Sequence, residues 1–439
     1  MNLKISISYT VVLRILYFVL GYLYAWFYDF IFKNYIVDVF DTFYIGMTTR
    51  DSRICFFMAA IPIVFYGGLN KYASVFSLYL YIFVYVPFNE TLSVCGWGAA
   101  YNDYKLVFFI CMCLCFVTDG LSLISTFFRK KPKIIFRHFE IVSYVVLFFV
   151  VAINARNLHF TNFIENREDL YDLRADLDVV GGTIVEYLIF WFKCVVLPLL
   201  FVHSLITKNI IKFALIISGF VLIYMIDQQK LTFVMPLMTV ALYLVLRLFP
   251  NFYKRNFHIL ILGSMTLFPF LLYKLKDKSD LLYELAALVV MRTQCIEGME
   301  LNTYLRFFGH DGSINPYTYY THIGIVNKLT GAYPYDTSLG HVVSYHGANA
   351  NGCFWLMDGV AAAGIWGIVF STFVFIVIKS LFNSAEKRMN VSMFSVVSLF
   401  AMSMLVNVSL FTAIFSCGFL LMYILFIYLD LDAFHKYGK

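Results

Sequence analysis

Between Thr183 and Ile206 the chain reads TIVEYLIFWFKCVVLPLLFVHSLI, and after the three residues TKN it resumes as IIKFALIISGFVLIYMI from Ile210 to Ile226. Crossing about 30 Å of hydrocarbon takes about 20 predominantly apolar residues in a helix, which satisfies its own backbone groups where water is absent. Both runs meet that requirement, and the short polar joint between them suits a tight reversal at the membrane surface. Windows of the same kind recur over the whole sequence, about twelve by this length criterion. The first four run Tyr9 to Ile31, Ile54 to Gly68, Ala73 to Phe88 and Leu106 to Phe128. The next five run Ile141 to Ile153, Thr183 to Ile206, Ile210 to Ile226, Leu231 to Leu248 and Ile259 to Tyr273. The last three run Cys353 to Ile378, Val391 to Ile414 and Phe415 to Leu429. The expected fold is therefore an all-α polytopic membrane protein, a single integral membrane domain over residues 1–439.

Composition leads to the same class. Hydrophobic residues make up 61% of the 439 and charged residues only 14%, with a mean hydropathy of +0.78, whereas a soluble domain devotes about a quarter of its residues to Asp, Glu, Lys and Arg. Lipid must replace water over most of the surface. Aromatic residues reach 19%, and Tyr and Trp favour the interface, where an amphipathic ring meets two environments. The formal charge of +6 reports topology through the positive-inside bias before it reports a partner, so no nucleic acid is implied. Of the nine cysteines, most sit in apolar runs as small hydrophobes. Cys111, Cys113 and Cys115 resemble a cluster, but alternate residues of a helix point about 200° apart and cannot converge on a metal. The start of the chain, with Lys4 ahead of a long apolar stretch and no small-residue cleavage site, reads as a first span rather than a signal peptide.

Basic residues orient the path. Arg129, Lys130, Lys131, Lys133 and Arg137 lie together, and Lys254 with Arg255 and Lys387 with Arg388 mark later turns; an alternating path places all of them, and both termini, on the cytoplasmic side. Two long connectors are left outside, 154–182 and 274–352. Loops of that length are functional or disordered, and the second is too apolar and aromatic for disorder. Phosphate-binding glycine loops, zinc spacings and nucleophile elbows do not occur, and neither do internal repeats.

The chemistry-bearing residues concentrate in these connectors. In NREDLYDLRADLDVVGG, Arg167 and Arg174 stand about two helical turns apart, so a helical path would aim both guanidinium forks at one diphosphate; a solvated, self-paired charged loop is the alternative. The amphipathic DKSDLLYELAALVVMRTQCIEGMELNTYLRFF sets Leu282, Leu285, Leu288 and Val289 before Arg292 and Arg306, which suits a surface-lying helix holding Arg292 at headgroup level; ordinary snorkelling is the alternative. In SLGHVVSYHGANANGCFWLMDGVAAAGIWG, His341, His346, Asn349 and Asn351 lead into a span containing Asp358. A carboxylate inside a span costs about 2.5–3.5 kcal/mol, so it faces a polar cavity or a helical partner. Gly359, Gly364 and Gly367 permit close packing there. Taken one by one, His310, His322, His341 and His346 read as aqueous loop histidines, and Asp119 and His203 as structural.

Taken together these segments resemble the Wzy family of O-antigen or oligosaccharide repeat-unit polymerases. The resemblance rests on YDLR (Tyr171 to Arg174), KCVVLPLL with Pro198, and QQKLTFVMPLM with Lys230 and Pro236. It continues in VMRTQCIEGMELNTYLRFF with Arg292 and Gly298 and in ANANGCFWLMDGVAAAGIWG from Ala348 to Gly367. These run in the expected order from Tyr171 to Gly367, and Glu297 stands where family members often have Pro. The resemblance implies a GT-C type glycosyltransferase of lipopolysaccharide biosynthesis in the bacterial inner membrane, with its active site facing the periplasm. It would transfer a growing glycan between undecaprenyl-diphosphate-linked units, with membrane lipid around it and a chain-length regulator protein as a possible partner. It needs no cofactor and no metal: Arg174 and Arg292, helped by Arg167 and Arg306, would stabilise the leaving diphosphate. His346, His341 or Asp358 would supply the base. A metal-dependent glycosyltransferase using Asp38 and Asp41, a lipid-linked oligosaccharide flippase and an O-antigen ligase are the competing classes.

Overall fold

The computed structural model describes residues 2–37, 53–94, 102–123, 134–160, 180–308, 320–322, 324–344 and 350–436. Regular structure among them is helical, and extended pairing is confined to one bridge between Ile134 and Leu429. Nine helices among the described residues are long and apolar enough to cross a membrane. In chain order they are α1 (Thr10–Ile36), α2 (Tyr72–Ser93), α3 (Phe136–Ile153), α4 (Gly182–Thr207) and α5 (Ile210–Asp227), followed by α6 (Lys230–Leu248), α7 (Ile259–Lys278), α8 (Trp355–Glu386) and α9 (Leu410–Tyr428). The protein is an all-α, multi-pass membrane protein. The other three expected stretches form shorter helices: Arg53–Ile63, Asn102–Val117, and the pair Val391–Val397 and Leu399–Leu405. Local chemistry stops each one. Pro62 sits in the last turn of the first, Thr118–Gly120 tightens into a 3₁₀ turn after the second, and Ser398 separates the pair.

The helices form two compact units, residues 1–121, 255–380 and 405–410 in one and 122–254, 381–404 and 411–439 in the other. In the first unit α2 is almost wholly enclosed by protein and α1 packs against Arg53–Ile63. Their approach is close because Gly21 has no side chain: a Cβ there would lie 2.7 Å from the Tyr81 hydroxyl. Tyrosines tie this core together by donating to carbonyls on neighbouring helices, Tyr24 to Ile82 (2.9 Å), Tyr81 to Ala59 (2.9 Å) and Tyr85 to Met58 (2.7 Å). Much of the tyrosine content is thus an interior hydrogen-bonding device rather than the interfacial belt that its abundance suggested; where lipid supplies no contrast in hydrophobicity, such bonds are among the few forces that select helix partners. A buried ion pair completes the set. The Lys379 ammonium meets Asp119 at 2.7 Å and the Ser77 hydroxyl at 3.0 Å, and Ser77 donates to Asp119 at 2.6 Å, which gives Asp119 the structural role expected of it.

In the second unit α4, α5 and α6 follow one another through tight reversals. Lys208 (φ 55°) and Gln228 (φ 52°) take the left-handed conformation that ends α4 and α5, and the Asn209 side chain accepts from the Lys212 amide to start α5. His203 stacks on Phe136 with ring centres 3.9 Å apart, again a packing role. Helix α9 breaks at Gly418 (φ 82°), which lets the chain press against Trp191, whose indole N–H donates to the Phe415 carbonyl at 2.8 Å.

The 274–352 connector is ordered where it is described. Ser279 caps the helix Asp280–Val290 by accepting from the Leu282 amide. Ala286, Ala287 and Val290 of that helix are buried against Tyr28, Ile31 and Tyr35 of α1, while Leu281, Leu282 and Val289 stay exposed. The stretch is helical as the pattern calls for, but its buried face is not the expected one: Leu282 and Val289 of the expected apolar stripe are exposed, because Ala286, Ala287 and Val290 pack against α1 instead. Lys276 at its start sits against the rings of Tyr35, Tyr273 and Tyr283 at about 5 Å.

Candidate functional site

The segment NGCFWLMDGVAAAGIWG does not run on as one straight span. At Ala363 (φ −158°, ψ 26°) and Gly364 (φ 58°, ψ −134°) the backbone leaves the helix, and the contacts show that it doubles back. Phe354 and Phe375 stack with ring centres 5.1 Å apart, although a straight helix would separate them by about 30 Å. The Trp355 indole likewise donates to the Thr372 hydroxyl at 2.8 Å. Glycines make the reversal possible. A Cβ on Gly367 would lie 2.3 Å from the Gly359 carbonyl oxygen, and one on Gly359 2.9 Å from Ile368. The expected single span from Cys353 is therefore a short re-entrant half-helix, Trp355 to Ala362, folded onto the longer limb that crosses. Non-helical backbone at membrane depth persists only where protein encloses it or where it lines a polar cavity.

Asp358 lies on this half-helix, fully buried, in a wide π turn spanning Trp355–Val360. Its Oδ2 accepts from the Leu410 amide at 2.5 Å, which fixes the carboxylate at the start of α9. Its Oδ1 faces the His322 Nε2 at 3.5 Å, with both side chains almost completely buried. The sequence pattern reads His322 as an aqueous loop histidine. The structure corrects that, and nothing in the sequence could have signalled it, because the partners are brought together only by the chain reversal. Tyr320 lies close by, its hydroxyl pushed up to about 12 by burial and by the Asp358 charge.

The helix Ile296–Phe308 forms another wall of this unit. Gly298 lets it touch α2: a Cβ there would meet the Thr91 hydroxyl at 2.1 Å, the Pro87 carbonyl at 3.0 Å and the Tyr28 hydroxyl at 3.2 Å. Glu297 beside it is buried, its carboxylate directed at the Cys353 amide and thiol without a well-formed hydrogen bond. Tyr304, further along, donates to the Ala350 carbonyl at 3.2 Å. Burial, and then the neighbouring Glu300, raise the Glu297 carboxyl well above the usual range. A raised acid contributes stability that is full below the ordinary carboxyl range and is lost as pH rises through the folded value. Glu297→Gln keeps the shape and cannot ionise. We expect it to unfold at a higher temperature than the parent, by a margin that widens between about pH 5 and pH 8; every tenfold displacement of the ionisation is worth about 1.4 kcal/mol. Thermal unfolding of the purified protein across that range checks this, and a constant margin would remove the assignment.

The remaining candidates are spread out. His341 is exposed on the short helix Leu339–Val343, whose Gly340 carbonyl accepts from the Ala350 amide at 3.0 Å; no carboxylate among the described residues pairs with it. Arg306 is exposed in the last turn of Ile296–Phe308. The backbone of Arg292 lies in a second wide π turn, Met291–Cys295, between the two helices of the connector. His346, Arg167 and Arg174 lie outside the described residues, as do Asp38 and Asp41. In the first unit the structure therefore joins Asp358 to His322, and neither to His341.

The second unit holds a polar centre of its own. Lys193 is completely buried in a third wide turn, Phe192–Val196. Its ammonium donates to Asp227 at 2.9 Å and to the Gln229 side chain at 2.7 Å, and lies 3.8 Å from the Phe190 ring centre. Asp227 also accepts from the Gln229 amide at 2.9 Å and the Thr232 hydroxyl at 3.1 Å. Two stretches of the family resemblance, KCVVLPLL and QQKLTFVMPLM, thus meet through their polar residues. In the sequence the only sign of Lys193 is a lone lysine inside an apolar run. In the same unit, Asn154 accepts from the Val180 amide at 3.0 Å, which draws together the two ends of the 154–182 connector.

Fold and composition define a multi-pass α-helical membrane protein with buried polar centres on irregular helical turns. Comparison of the chain with family models, with curated proteins and with solved structures finds no match in any of the three.

Proposed function

We propose that the protein is a glycosyltransferase that polymerises undecaprenyl-diphosphate-linked oligosaccharide repeat units at the outer face of a bacterial inner membrane. The observation that carries this reading is the buried Asp358 and His322 pair on a re-entrant half-helix. Lys193, Arg292 and Asp358, all in stretches of the family resemblance, each occupy a π turn, a distortion frequent at functional sites. In this reading the chain crosses twelve times and the 154–182 and 274–352 connectors face the periplasm.

The reaction needs a base on one side of the anomeric carbon and charge stabilisation on the other. Asp358 faces the Nε2 edge of His322 at 3.5 Å, and Nδ1 takes the proton of the acceptor hydroxyl as that oxygen bonds to the anomeric carbon. The bond from the anomeric carbon to the carrier diphosphate breaks at the same centre. Arg174 and Arg292 receive the charge that develops on the leaving group. Arg174→Ala and Arg292→Ala should each lower polymerisation about a hundred- to a thousandfold, and Lys should restore little because it lacks the planar fork. Surface glycan from a polymerase-null strain carrying each variant, run beside a measurement of protein level, reads this out. Normal ladders from both Lys variants remove the bidentate clamp; normal ladders from both Ala variants remove the reading.

A lipid-linked oligosaccharide flippase is the second reading, favoured by the buried pairs of Lys193 with Asp227 and Lys379 with Asp119, since charges inside spans often mark a transport path. The same gel separates the two. A lost polymerase leaves single repeat units on the surface, whereas a lost flippase leaves none.

A further inference from the structure

In the second unit a cleft of about 480 Å³ opens where α3 begins, beside the end of α4 and the start of α5. The stacked rings of Phe136 and His203 form its floor. Ile141 on α3 and Leu215 on α5 form apolar sides, each about half exposed. That apolar surface continues along α3 through Val145 and Phe148, which are also exposed. The mouth is polar. Lys212 and Glu140 make an ion pair at 2.5 Å, the Tyr144 hydroxyl lies 3.4 Å from the other Glu140 oxygen, and Arg137 stands exposed at the rim.

Glu140 is committed to Lys212, and no carboxylate among the described residues pairs with Arg137. Lys208 adds a cation beside Lys212, while Asp430 and Asp432 lie on the segment that bridges to Ile134. A cleft with a cationic, hydrogen-bonding rim and an apolar trough that runs out onto the lipid-facing surface matches a ligand that is anionic at one end and hydrocarbon at the other. Its volume falls within the about 300–1,000 Å³ of ordinary ligand sites, and basic pockets between membrane helices are the usual receptors for acidic headgroups.

We propose that this cleft binds an anionic phospholipid, its phosphate held by Arg137 with Lys212 and Tyr144 and its acyl chains laid along Ile141 and Leu215. On the topology read from the basic connectors the lipid belongs to the cytoplasmic leaflet. The site is separate from the glycan chemistry, and its test does not depend on that reading.

Native mass spectrometry of the purified full-length chain, titrated with phosphatidylglycerol and with phosphatidylcholine of the same acyl chains, tests the site. Phosphatidylglycerol should be retained at concentrations where phosphatidylcholine is lost. One basic side chain near the headgroups contributes about fivefold in affinity, so Arg137→Ala should weaken phosphatidylglycerol by about that factor and Arg137→Lys by less. Arg247→Ala, which removes an exposed arginine elsewhere in this unit, should change nothing. Leu215→Trp fills the trough from the opposite side and should lower retention of phosphatidylglycerol, which keeps the test decisive should Arg137→Ala reduce the yield. Equal retention of the two lipids, equal effects of Arg137→Ala and Arg247→Ala, or unchanged binding in both Arg137→Ala and Leu215→Trp would each overturn the proposal.

Discussion

Asp119→Ala is expected to destabilise the protein by about 3–5 kcal/mol, the cost of leaving a buried charge without its partner. Lys379 has no exposed side-chain surface, and among the described residues its partners besides Asp119 are the Ser77 hydroxyl and the Cys115 carbonyl. Neither neutralises an ammonium. The helix Asn102–Val117 ends one residue before the 3₁₀ turn that carries Asp119, so the loss should loosen this join and lower the yield of folded protein. Asp119→Leu combined with Lys379→Met should recover most of the loss, because removing both charges also removes the desolvation cost that each carries. Thermal unfolding of the purified variants measures both. An Asp119→Ala protein within about 0.5 kcal/mol of the parent, the range of ordinary surface changes, would show that the pair contributes little.

Asp358→Asn is expected to fold normally and to lower glycan polymerisation about 10²- to 10⁴-fold, the usual range for losing one half of an acid–base pair. An amide in this place can still accept from the Leu410 amide, so the contact that fixes the start of α9 survives. What is lost is the negative charge facing His322 at 3.5 Å, which in the proposed mechanism stabilises the imidazole once protonated. His322→Gln should give the same loss, and the double variant should be no worse than either single one, as expected of residues that act as a unit. The glycan ladder, with protein level measured alongside, decides the matter. A normal ladder from a well-expressed Asp358→Asn protein would leave Asp358 as a helix cap alone.

How far the sequence could be read differs sharply between elements. The run from Thr183 to Ile206 announced α4 and its neighbour α5 almost to the residue, because span length is set by the bilayer and the reversal by three polar residues. The helix of the 274–352 connector was legible as a helix, but not the face it buries: Ala286, Ala287 and Val290 pack against α1, while Leu282 and Val289 of the apolar stripe are exposed. Asp358 was visible as a costly carboxylate in an apolar run. Its surroundings were not. The segment from Cys353 to Ile378 has the hydropathy of one crossing, and hydropathy does not register the direction of the chain, so the reversal at Ala363 and Gly364 could not be seen in it.

The sequence by itself thus determined what depends on a residue and its near neighbours: a membrane-embedded, all-helical chain, the positions of most of its spans, and the connectors that carry its polar residues. Each of these is a sum of local transfer free energies against a slab of fixed thickness. The tertiary structure alone decided the pairings. It brought His322 to Asp358, Lys193 to Asp227 and Lys379 to Asp119 across 36, 34 and 260 residues of chain. It also turned tyrosines expected at the interface into donors that join buried helices. The physical reason is the same for all of them. A polar group inside a membrane must find a partner somewhere, but the partner is selected by which helices touch, and that depends on small residues such as Gly21, Gly298 and Gly367 permitting close approach between segments far apart in the chain.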